Sequence, residues 1–277
     1  MNNVVMQAWA ICTRGADMKN DVVIITGAAM GLGQATAKEL AGRGAHLALV
    51  DYNSDCLERT RAELAAQFRE TKIVAITADV SDEKAVKRYV DETLHAFGKI
   101  DGLYNNAGIE GPQASLTQYD LDAFKKVLDI NLMGVYYGMR HVIPVMQKQQ
   151  YGRIVNVSSV AGIRGILDHT PYVASKHAVA GMTKNAALEY GREGVLTNAI
   201  APGAILTPMV AGFFKQMNPD NPQAAEKDFA RHNPMRRLGQ PEEVAKLAAF
   251  FLSRDNSYVN GQVIAIDGGE SNVYGNV

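Results

Sequence analysis

The feature that most constrains this chain is an alternation of short apolar runs with longer amphipathic stretches, which begins at Asp21. The apolar runs are rich in Val and Ile and are too short for helices, so they predict strands. Because apolar residues fill consecutive positions, both faces of each strand are expected to be buried, as in a parallel sheet. The predicted strands are Val22–Thr26, His46–Asp51, Lys72–Asp79, Gly102–Asn105, Arg153–Ser158, Leu196–Ala201 and Val263–Ile266.

The stretches between these runs have the periodicity and the end signals of helices. Gly42 and Gly44 end the first, and Pro241 begins the last. Strands that alternate with helices through right-handed crossovers predict an α/β fold, a Rossmann-type doubly wound parallel sheet of about seven strands with helices on both faces. The predicted helices are Leu32–Gly42, Ser54–Arg69, Asp82–Phe97, Leu121–Gln149, Tyr172–Gly191 and Pro241–Leu252.

The domain organisation follows from what interrupts this pattern. No linker or repeat divides the 277 residues, which predicts a single domain over 21–277. Residues 1–20 lack the apolar core of a secretory signal. A disordered extension is expected there, or an upstream start codon with Met18 as the alternative start. Residues 204–239 show no clear periodicity, and an irregular loop of that length is typically functional. This loop is expected to contribute to the substrate site.

Charge and cysteine content exclude several classes of function. The 28 Lys and Arg residues against 29 Asp and Glu give a net charge of -1, which provides no attraction for nucleic acid or an acidic membrane surface. The weakly polar runs are shorter than the about 20 residues that span a bilayer. Cys12 and Cys56 stand apart from other Cys or His, so neither a disulfide framework nor a zinc site is expected. We expect a cytoplasmic protein without a catalytic metal.

The first predicted strand runs into a glycine-rich turn, TGAAMGLG (26–33), and a helix follows at once. Glycines let the backbone turn sharply and approach a pyrophosphate, and the free N–H groups of the helix start bind anions. The G-x-x-x-G-x-G spacing in this position predicts a dinucleotide site. The predicted contacts in the turn are Gly27, Met30, Gly31, Leu32 and Gly33.

Asp51 ends the second predicted strand, where such folds bind the adenosine ribose. A carboxylate there accepts hydrogen bonds from both ribose hydroxyls and repels a 2′-phosphate. Neither Met30 nor Tyr52 is basic, so no side chain beside it favours that phosphate. The predicted cofactor is therefore NAD rather than NADP.

Tyr172 and Lys176 are four residues apart, on one face of a predicted helix. Such a pair also occurs by chance, and the motifs around it give it meaning. From about Val22 to Gly269, the order and spacing of these motifs resemble those of the short-chain dehydrogenase/reductase family. The resemblance implies an NAD-dependent oxidoreductase, a small-molecule carbonyl or alcohol substrate and a homotetramer. The motifs that carry it are TGAAMGLG (26–33), Asp79-Val80, Asn105–Gly108, Asn131, Val157–Ser159, Tyr172-x-x-x-Lys176 and Pro202-Gly203-x-x-x-Thr207.

Hydride transfer at a carbonyl needs a positioned acid or base, and Tyr172 is expected to fill that role. A free Tyr has a pKa of about 10, and the ammonium of Lys176 with the positive nicotinamide ring would lower it. Ser159 can orient the substrate oxygen; Ser158 is the alternative, and the family spacing favours Ser159. By resemblance, Lys176 also holds the nicotinamide ribose, and the backbone at Asn131 holds a water that links Lys176 to solvent.

The remaining cofactor contacts are implied by the resemblance alone. Asp79 and Val80 are expected to bracket the adenine. Asn106, Ala107 and Gly108 are expected to pass beneath the cofactor. Further along the chain, Pro202 and Gly203 are expected to close over the nicotinamide, with Ile205 and Thr207 at its carboxamide.

The substrate wall is expected from Ile109–Pro112, Gly162–Leu167 and the loop after Gly203. Apolar side chains in that loop favour an apolar or cyclic ketone, although they could instead pack a lid or a subunit contact. Glu110 and Arg164 either bind polar substrate groups or pair at the surface. The tail after Gly269 either closes a neighbouring site or covers an interface. The apolar loop residues are Met209, Phe213, Phe214 and Met217.

Other functions remain open at this point. Within the family the alternatives are a 3-oxoacyl-thioester reductase, a polyol dehydrogenase and a hydroxysteroid dehydrogenase. Met30 stands where NADPH-dependent acyl reductases carry a basic residue, which argues against the first. A protein that binds NAD(H) without turnover is the alternative outside the enzymes. Against it, the Asn, Ser, Tyr and Lys positions are all filled.

Overall fold

The computed structural model describes residues 17–272 and contains one sheet of parallel strands. Their order across the sheet is β3-β2-β1-β4-β5-β6-β7. From β1 the strands β2 and β3 are added toward one edge of the sheet, and β4 to β7 are added toward the other edge. The point between β1 and β4 where the strand order changes direction opens a crevice at the carboxyl ends of the strands. The strands are β1 Val22–Thr26, β2 His46–Asp51, β3 Ile73–Thr77, β4 Gly102–Asn105, β5 Gly152–Val157, β6 Val195–Pro202 and β7 Val263–Ile266.

Helices cover both faces of this sheet, as the sequence predicts. One core cluster joins the sheet to α1, α2 and α9, and another joins it to α3, α5 and α6. Among residues 17–272 no helix is long and apolar enough to cross a membrane. The helices are α1 Gly31–Gly42, α2 Ser54–Gln67, α3 Glu83–Phe97, α4 Leu121–Leu128, α5 Gly134–Gln149, α6 Thr170–Tyr190, α7 Pro208–Met217, α8 Pro222–His232 and α9 Pro241–Leu252.

The predicted helix Leu121–Gln149 is interrupted in the structure. Residues Asp129–Met133 form a π-helical turn between α4 and α5. A π turn inserts an extra residue into the helix and changes the direction of the side chains that follow. Asn131 lies inside this turn, so the interruption positions a predicted catalytic residue.

The prediction of an irregular loop over 204–239 is wrong, because α7 and α8 occupy most of it. Both begin with a capping side chain followed by proline. Thr207 accepts a hydrogen bond from the Val210 N–H (3.4 Å), and Asn221 accepts one from the Ala224 N–H (3.0 Å). These are standard helix starts, and the sequence contains them at Thr207-Pro208 and Asn221-Pro222.

The structure describes residues 17–20, which lie before the domain boundary that the sequence analysis places at residue 21. Met18 is 1% exposed and packs in the core cluster with α1. Its N–H donates to the Arg43 carbonyl (2.9 Å). The expected extension therefore does not include Met18, and residues 1–16 lie outside the described part of the chain.

Candidate active site

A cleft of about 500 Å³ lies at the carboxyl edge of the sheet. Strands β1 to β6 all contribute residues to it, either at their last positions or directly after them. Of the predicted site residues, Gly33 and Asn131 do not line the cleft. The others all do, namely Gly27, Met30, Gly31, Leu32, Asp51, Asp79, Val80, Asn106, Ala107, Gly108, Ser159, Tyr172, Lys176, Pro202, Gly203, Ile205 and Thr207.

The glycine turn has a backbone that other residues cannot adopt without strain. Gly27 and Gly31 have φ angles of +64° and +58°. A Cβ on Gly33 would lie 2.0 Å from the Gly27 carbonyl oxygen, which explains why Gly33 is needed although it does not face the cleft. The turn thus places the start of α1 against the cleft, where its free N–H groups can bind an anion.

Hydrogen bonds between β1 and the segment after β4 hold this turn in place. The Thr26 hydroxyl oxygen accepts hydrogen bonds from the N–H groups of Asn106 (3.0 Å) and Ala107 (3.1 Å). In return the Asn106 amide donates to the carbonyls of Thr26 (3.0 Å) and Gly27 (3.1 Å). Thr26 is 2% exposed, and its structural role was not identified from the sequence.

Asp51 faces the cleft with its carboxylate held by two backbone groups. Oδ2 accepts from the Ala29 N–H (3.0 Å) and Oδ1 from the Asn53 N–H (3.0 Å). Its neighbours Met30 and Tyr52 are exposed. A negative charge is therefore fixed at one end of the cleft, beside the glycine turn.

At the other end, Ser159, Tyr172 and Lys176 come together from β5 and α6. Lys176 is 4% exposed, and its ammonium donates to the Val157 carbonyl (2.8 Å) and lies 5.6 Å from the centre of the Tyr172 ring. The Ser158 hydroxyl donates to the Lys176 carbonyl (3.0 Å), so it is committed to the α6 backbone. The Ser159 hydroxyl oxygen accepts a hydrogen bond from the Ala161 N–H (3.1 Å), and this hydroxyl is close enough to the Tyr172 phenol to act on its pKa.

Burial dominates the protonation chemistry at this end. It raises the pKa of Tyr172 to about 12, while the hydrogen bond with Ser159 acts to lower it and the charge of Glu110 acts to raise it. Burial also lowers the pKa of Lys176 to about 8. The expected lowering of the Tyr172 pKa is thus not found in the chain by itself, because desolvation of the phenolate outweighs the effect of Ser159.

Asn131 is fully buried in the π turn and lies behind the cleft rather than in it. Its Oδ1 accepts from the Ile109 N–H (2.8 Å), and its Nδ2 donates to the Ile109 carbonyl (2.8 Å) and the Ser175 hydroxyl (3.3 Å). A Cβ on Gly108 would lie 3.1 Å from its Oδ1 and 3.6 Å from the Lys176 ammonium. The side chain therefore fixes the segment that passes Lys176, and the water relay stays a prediction.

The predicted substrate wall is only partly at the cleft. Ile109, Met209 and Val210 line it, whereas Gly162–Leu167 do not. Phe213 and Phe214 pack on each other and on Phe229, with ring centroids 5.3 to 6.0 Å apart. These two rings join α7 to α8, which agrees with the alternative that they pack a lid.

The two charged residues left open in the sequence analysis each have a partner. Arg164 pairs with Glu270, which connects the segment after β5 to the chain after β7. Glu110 Oε1 lies 3.1 Å from Nε2 of His169, directly before α6. The first pair involves the C-terminal region and the second lies at the start of the helix that carries Tyr172.

Some residues of the cleft were not identified from the sequence. Lys126 of α4 and Ile130 of the π turn both line it. They are four residues apart and precede Asn131. This spacing puts them on one face of the predicted helix, and it could have identified both as residues near the site.

A family model described as "Enoyl-(Acyl carrier protein) reductase" matches residues 27–271. Levodione reductase of Leifsonia aquatica is 49% identical over 91% of this chain and 95% of its own. Cyclohexanol dehydrogenase of an Acinetobacter species is 37% identical over 90% of this chain and 94% of its own. A 2,5-dichloro-2,5-cyclohexadiene-1,4-diol dehydrogenase of Sphingobium indicum is 36% identical over 92% of this chain and 98% of its own.

Solved structures of similar oxidoreductases also match this chain. The crystal structure of levodione reductase has a TM-score of 0.91 and 48% identity, and it covers 92% of this chain and 99% of its own. A 3-oxoacyl-[acyl-carrier protein] reductase from Brucella melitensis with bound NAD has a TM-score of 0.81 and 36% identity, over 91% of this chain and 92% of its own. Similarity therefore extends over nearly the whole described chain.

Proposed function

Because this chain belongs to the short-chain dehydrogenase/reductase family, we propose that it interconverts a cyclic ketone and the corresponding secondary alcohol with NAD(H). The observation that carries the proposal is the Tyr172 phenol, which lines the cleft close to the Ser159 hydroxyl and the Lys176 ammonium. Relatives named for levodione, cyclohexanol and a cyclohexadiene diol support a ring as the substrate.

The residues of the cleft fit a dinucleotide. The turn from Gly27 to Gly33 forms a cradle that a Cβ would fill, and it presents the N–H groups of a helix start to a pyrophosphate. The fixed carboxylate of Asp51 suits ribose hydroxyls and repels a 2′-phosphate, which supports NAD over NADP. When bound, NAD supplies or accepts the hydride at its nicotinamide C4.

The side chains at the other end would manage the substrate oxygen and its proton. Ser159 donates a hydrogen bond that orients the oxygen, and Tyr172 donates a proton to it during ketone reduction or accepts one during alcohol oxidation. The Lys176 ammonium favours the phenolate that remains after proton donation. Burial of Ser159 and Lys176 on either side of the phenol limits the access of competing water to this proton transfer.

The shape and polarity of the substrate side support an apolar ring. Ile109, Met209 and Val210 line the cleft with apolar side chains. Met209 is 41% exposed and flexible, so it can adapt to rings that carry different substituents.

The expected homotetramer and cytoplasmic location stay predictions. Apolar side chains on helix surfaces support self-association, since Tyr136 of α5, Leu188 of α6 and Phe250 of α9 are all exposed. The scarcity of cysteine in the sequence supports the predicted location.

The proposal is tested by following NADH absorbance with the purified protein. We expect turnover of cyclohexanone and cyclohexanol, with NADH preferred over NADPH, and weaker turnover of open-chain ketones, polyols, steroids and 3-oxoacyl thioesters. Tight NADH binding without turnover of any compound in this panel would instead identify a cofactor-binding protein.

A further inference from the structure

Lys126 lines the cleft, and the proposed reaction gives it no role. It lies in the last turn of α4, four residues before Ile130 of the π turn, and both side chains line the cleft. Residues with this spacing share one face of a helix. Lys126 is exposed and Ile130 is half-buried, so the ammonium lies at the mouth of the cleft and the isoleucine lies deeper.

The helix that carries Lys126 contacts two segments of the predicted cofactor site. A Cβ on Gly134, directly after the π turn, would lie 2.8 Å from Cγ2 of Val80. A Cβ on Gly108 would lie 3.1 Å from Oδ1 of Asn131, inside the π turn. These are the segments that are expected to bracket the adenine and to pass beneath the cofactor. Lys126 therefore lies at the part of the cleft where the cofactor is expected.

The charges along the cleft leave a role for this ammonium. Four charged side chains of the described chain line it, namely Asp51, Asp79, Lys126 and Lys176. Lys176 is buried and donates to the Val157 carbonyl, so its charge acts at the catalytic end. The pyrophosphate of a dinucleotide is a dianion, and carboxylates in the same cleft repel it. Lys126 is the cation that can offset this repulsion.

The Lys126 ammonium is also available to a ligand. Among residues 17–272 no carboxylate lies within 4.0 Å of it, and it makes no hydrogen bond. Its neighbour in the sequence, Lys125, lies 4.0 Å from Asp122 instead. Two adjacent lysines of one helix therefore differ in their surroundings, because Lys126 lines the cleft and Lys125 does not.

We propose that Lys126 is a cofactor-binding residue whose ammonium pairs with the pyrophosphate of NAD(H). The inference rests on the cofactor part of the proposed function. The glycine turn provides the partial charges of backbone N–H groups, and Lys126 provides a full positive charge at the mouth of the cleft. An exposed ammonium attracts an anion from a distance, so this charge strengthens binding most when little salt is present.

The test measures NADH binding by fluorescence titration and needs no turnover. Lys126→Met keeps the alkyl chain and removes the charge. At about 0.01 M salt we expect its dissociation constant for NADH to be about fivefold above that of the wild type, as for an exposed ion pair. At about 1 M salt, where the Debye length is about 3 Å, the difference should disappear. Lys126→Arg keeps the charge and should bind NADH as the wild type does.

Lys125→Met is the matched control, since it removes the same charge from the next residue of α4, outside the cleft. It should leave the dissociation constant for NADH unchanged. Displacement of NADH by ADP-ribose and by adenosine separates the pyrophosphate from the base, because adenosine carries no phosphate. Lys126→Met should weaken ADP-ribose binding about fivefold and leave adenosine binding unchanged.

The outcomes separate this inference from the proposed function. Equal affinity of Lys126→Met and the wild type for NADH at low salt overturns the pairing with the pyrophosphate. An equal loss with Lys125→Met also overturns it, and so does an equal loss for adenosine, since a general field or a structural change would act in that way. A wild type that binds no NADH overturns the proposed function together with this inference. A wild type that binds NADH but reduces no ketone overturns the proposed reaction alone, and the binding comparison still decides the role of Lys126.

Discussion

The two ends of the cleft are built on different principles. At the end beside β2, recognition depends on the backbone of the glycine turn and on one fixed carboxylate, and the neighbouring Met30 and Tyr52 are 45% and 77% exposed. At the end beside β5, the functional groups are side chains, and Ser159 and Lys176 are 8% and 4% exposed.

The difference follows from what each end has to do. Backbone N–H groups at a helix start bind a phosphate without a change of protonation, so they work at an open surface. A proton donor has to be isolated from water, and its pKa has to be adjusted. Burial does both. It is burial that raises the pKa of Tyr172 and lowers that of Lys176. The comparison predicts that substitutions at the buried end have larger effects than those at the open end.

The largest effect is expected at the phenol. Tyr172→Phe removes the proton donor and keeps the ring, so turnover should fall about a thousandfold while NADH affinity stays within a few fold. Steady-state kinetics and NADH fluorescence titration measure the two quantities. Tyr190→Phe, at the far end of the same helix, is the control and should retain wild-type turnover. A Tyr172→Phe enzyme as fast as the wild type would remove the phenol from the reaction.

A smaller effect, on stability, is expected at the ammonium. The pKa of Lys176 falls from 10.5 in water to about 8 in the folded chain, so burying the charged form costs about 3 kcal/mol at pH 7. Lys176→Met removes that cost and should raise the free energy of unfolding by up to about this amount, although turnover is lost. The lost hydrogen bond to Val157 offsets part of the gain.

The pH dependence gives the sign of this effect. Below pH 8 the wild type bears the full cost, and between pH 8 and 10.5 the folded lysine loses its proton and the cost disappears. The advantage of Lys176→Met in urea unfolding should therefore shrink over that range. Lys184→Met, at an exposed position of α6, is the control. An advantage that is constant from pH 7 to 10.5 would contradict the burial cost.

The smallest effect is expected at the open end. Asp51→Ala removes the carboxylate that repels a 2′-phosphate, so the preference for NAD over NADP should fall about tenfold. Asp55→Ala, in the exposed first turn of α2, is the control for a nearby change of charge. The ratio of kcat/KM for the two cofactors measures the preference. An unchanged ratio would show that Asp51 does not contact the ribose.

The elements that sequence reasoning predicted well are those specified by short-range patterns. All strands of the sheet were predicted within two residues of their observed ends, because consecutive apolar residues bounded by turns are a local signal. The prediction of an irregular loop over 204–239 failed, although the caps Thr207 and Asn221 stood in the sequence. In helices as short as these, apolar periodicity is weak evidence for a helix, and the capping residues are the stronger signal.

Local sequence patterns could not predict the break in the helix around Asn131. The residues from Leu121 to Gln149 have helical periodicity throughout, and the π turn appears where the Asn131 amide bonds to both backbone groups of Ile109. That contact joins segments 22 residues apart. Its cause is tertiary, since only packing brings the buried amide to the strand edge.

By itself, the sequence determined the alternation of strands and helices, the anion-binding turn and the spacing of Tyr172 and Lys176, because each depends on neighbouring residues and backbone geometry. The tertiary structure alone decided that the Ser158 hydroxyl bonds to the α6 backbone, that Glu110 lies against His169, and how far burial moves the pKa of each catalytic group. Those properties depend on contacts between distant segments and on exclusion of water, and neither is encoded in any short stretch of the chain.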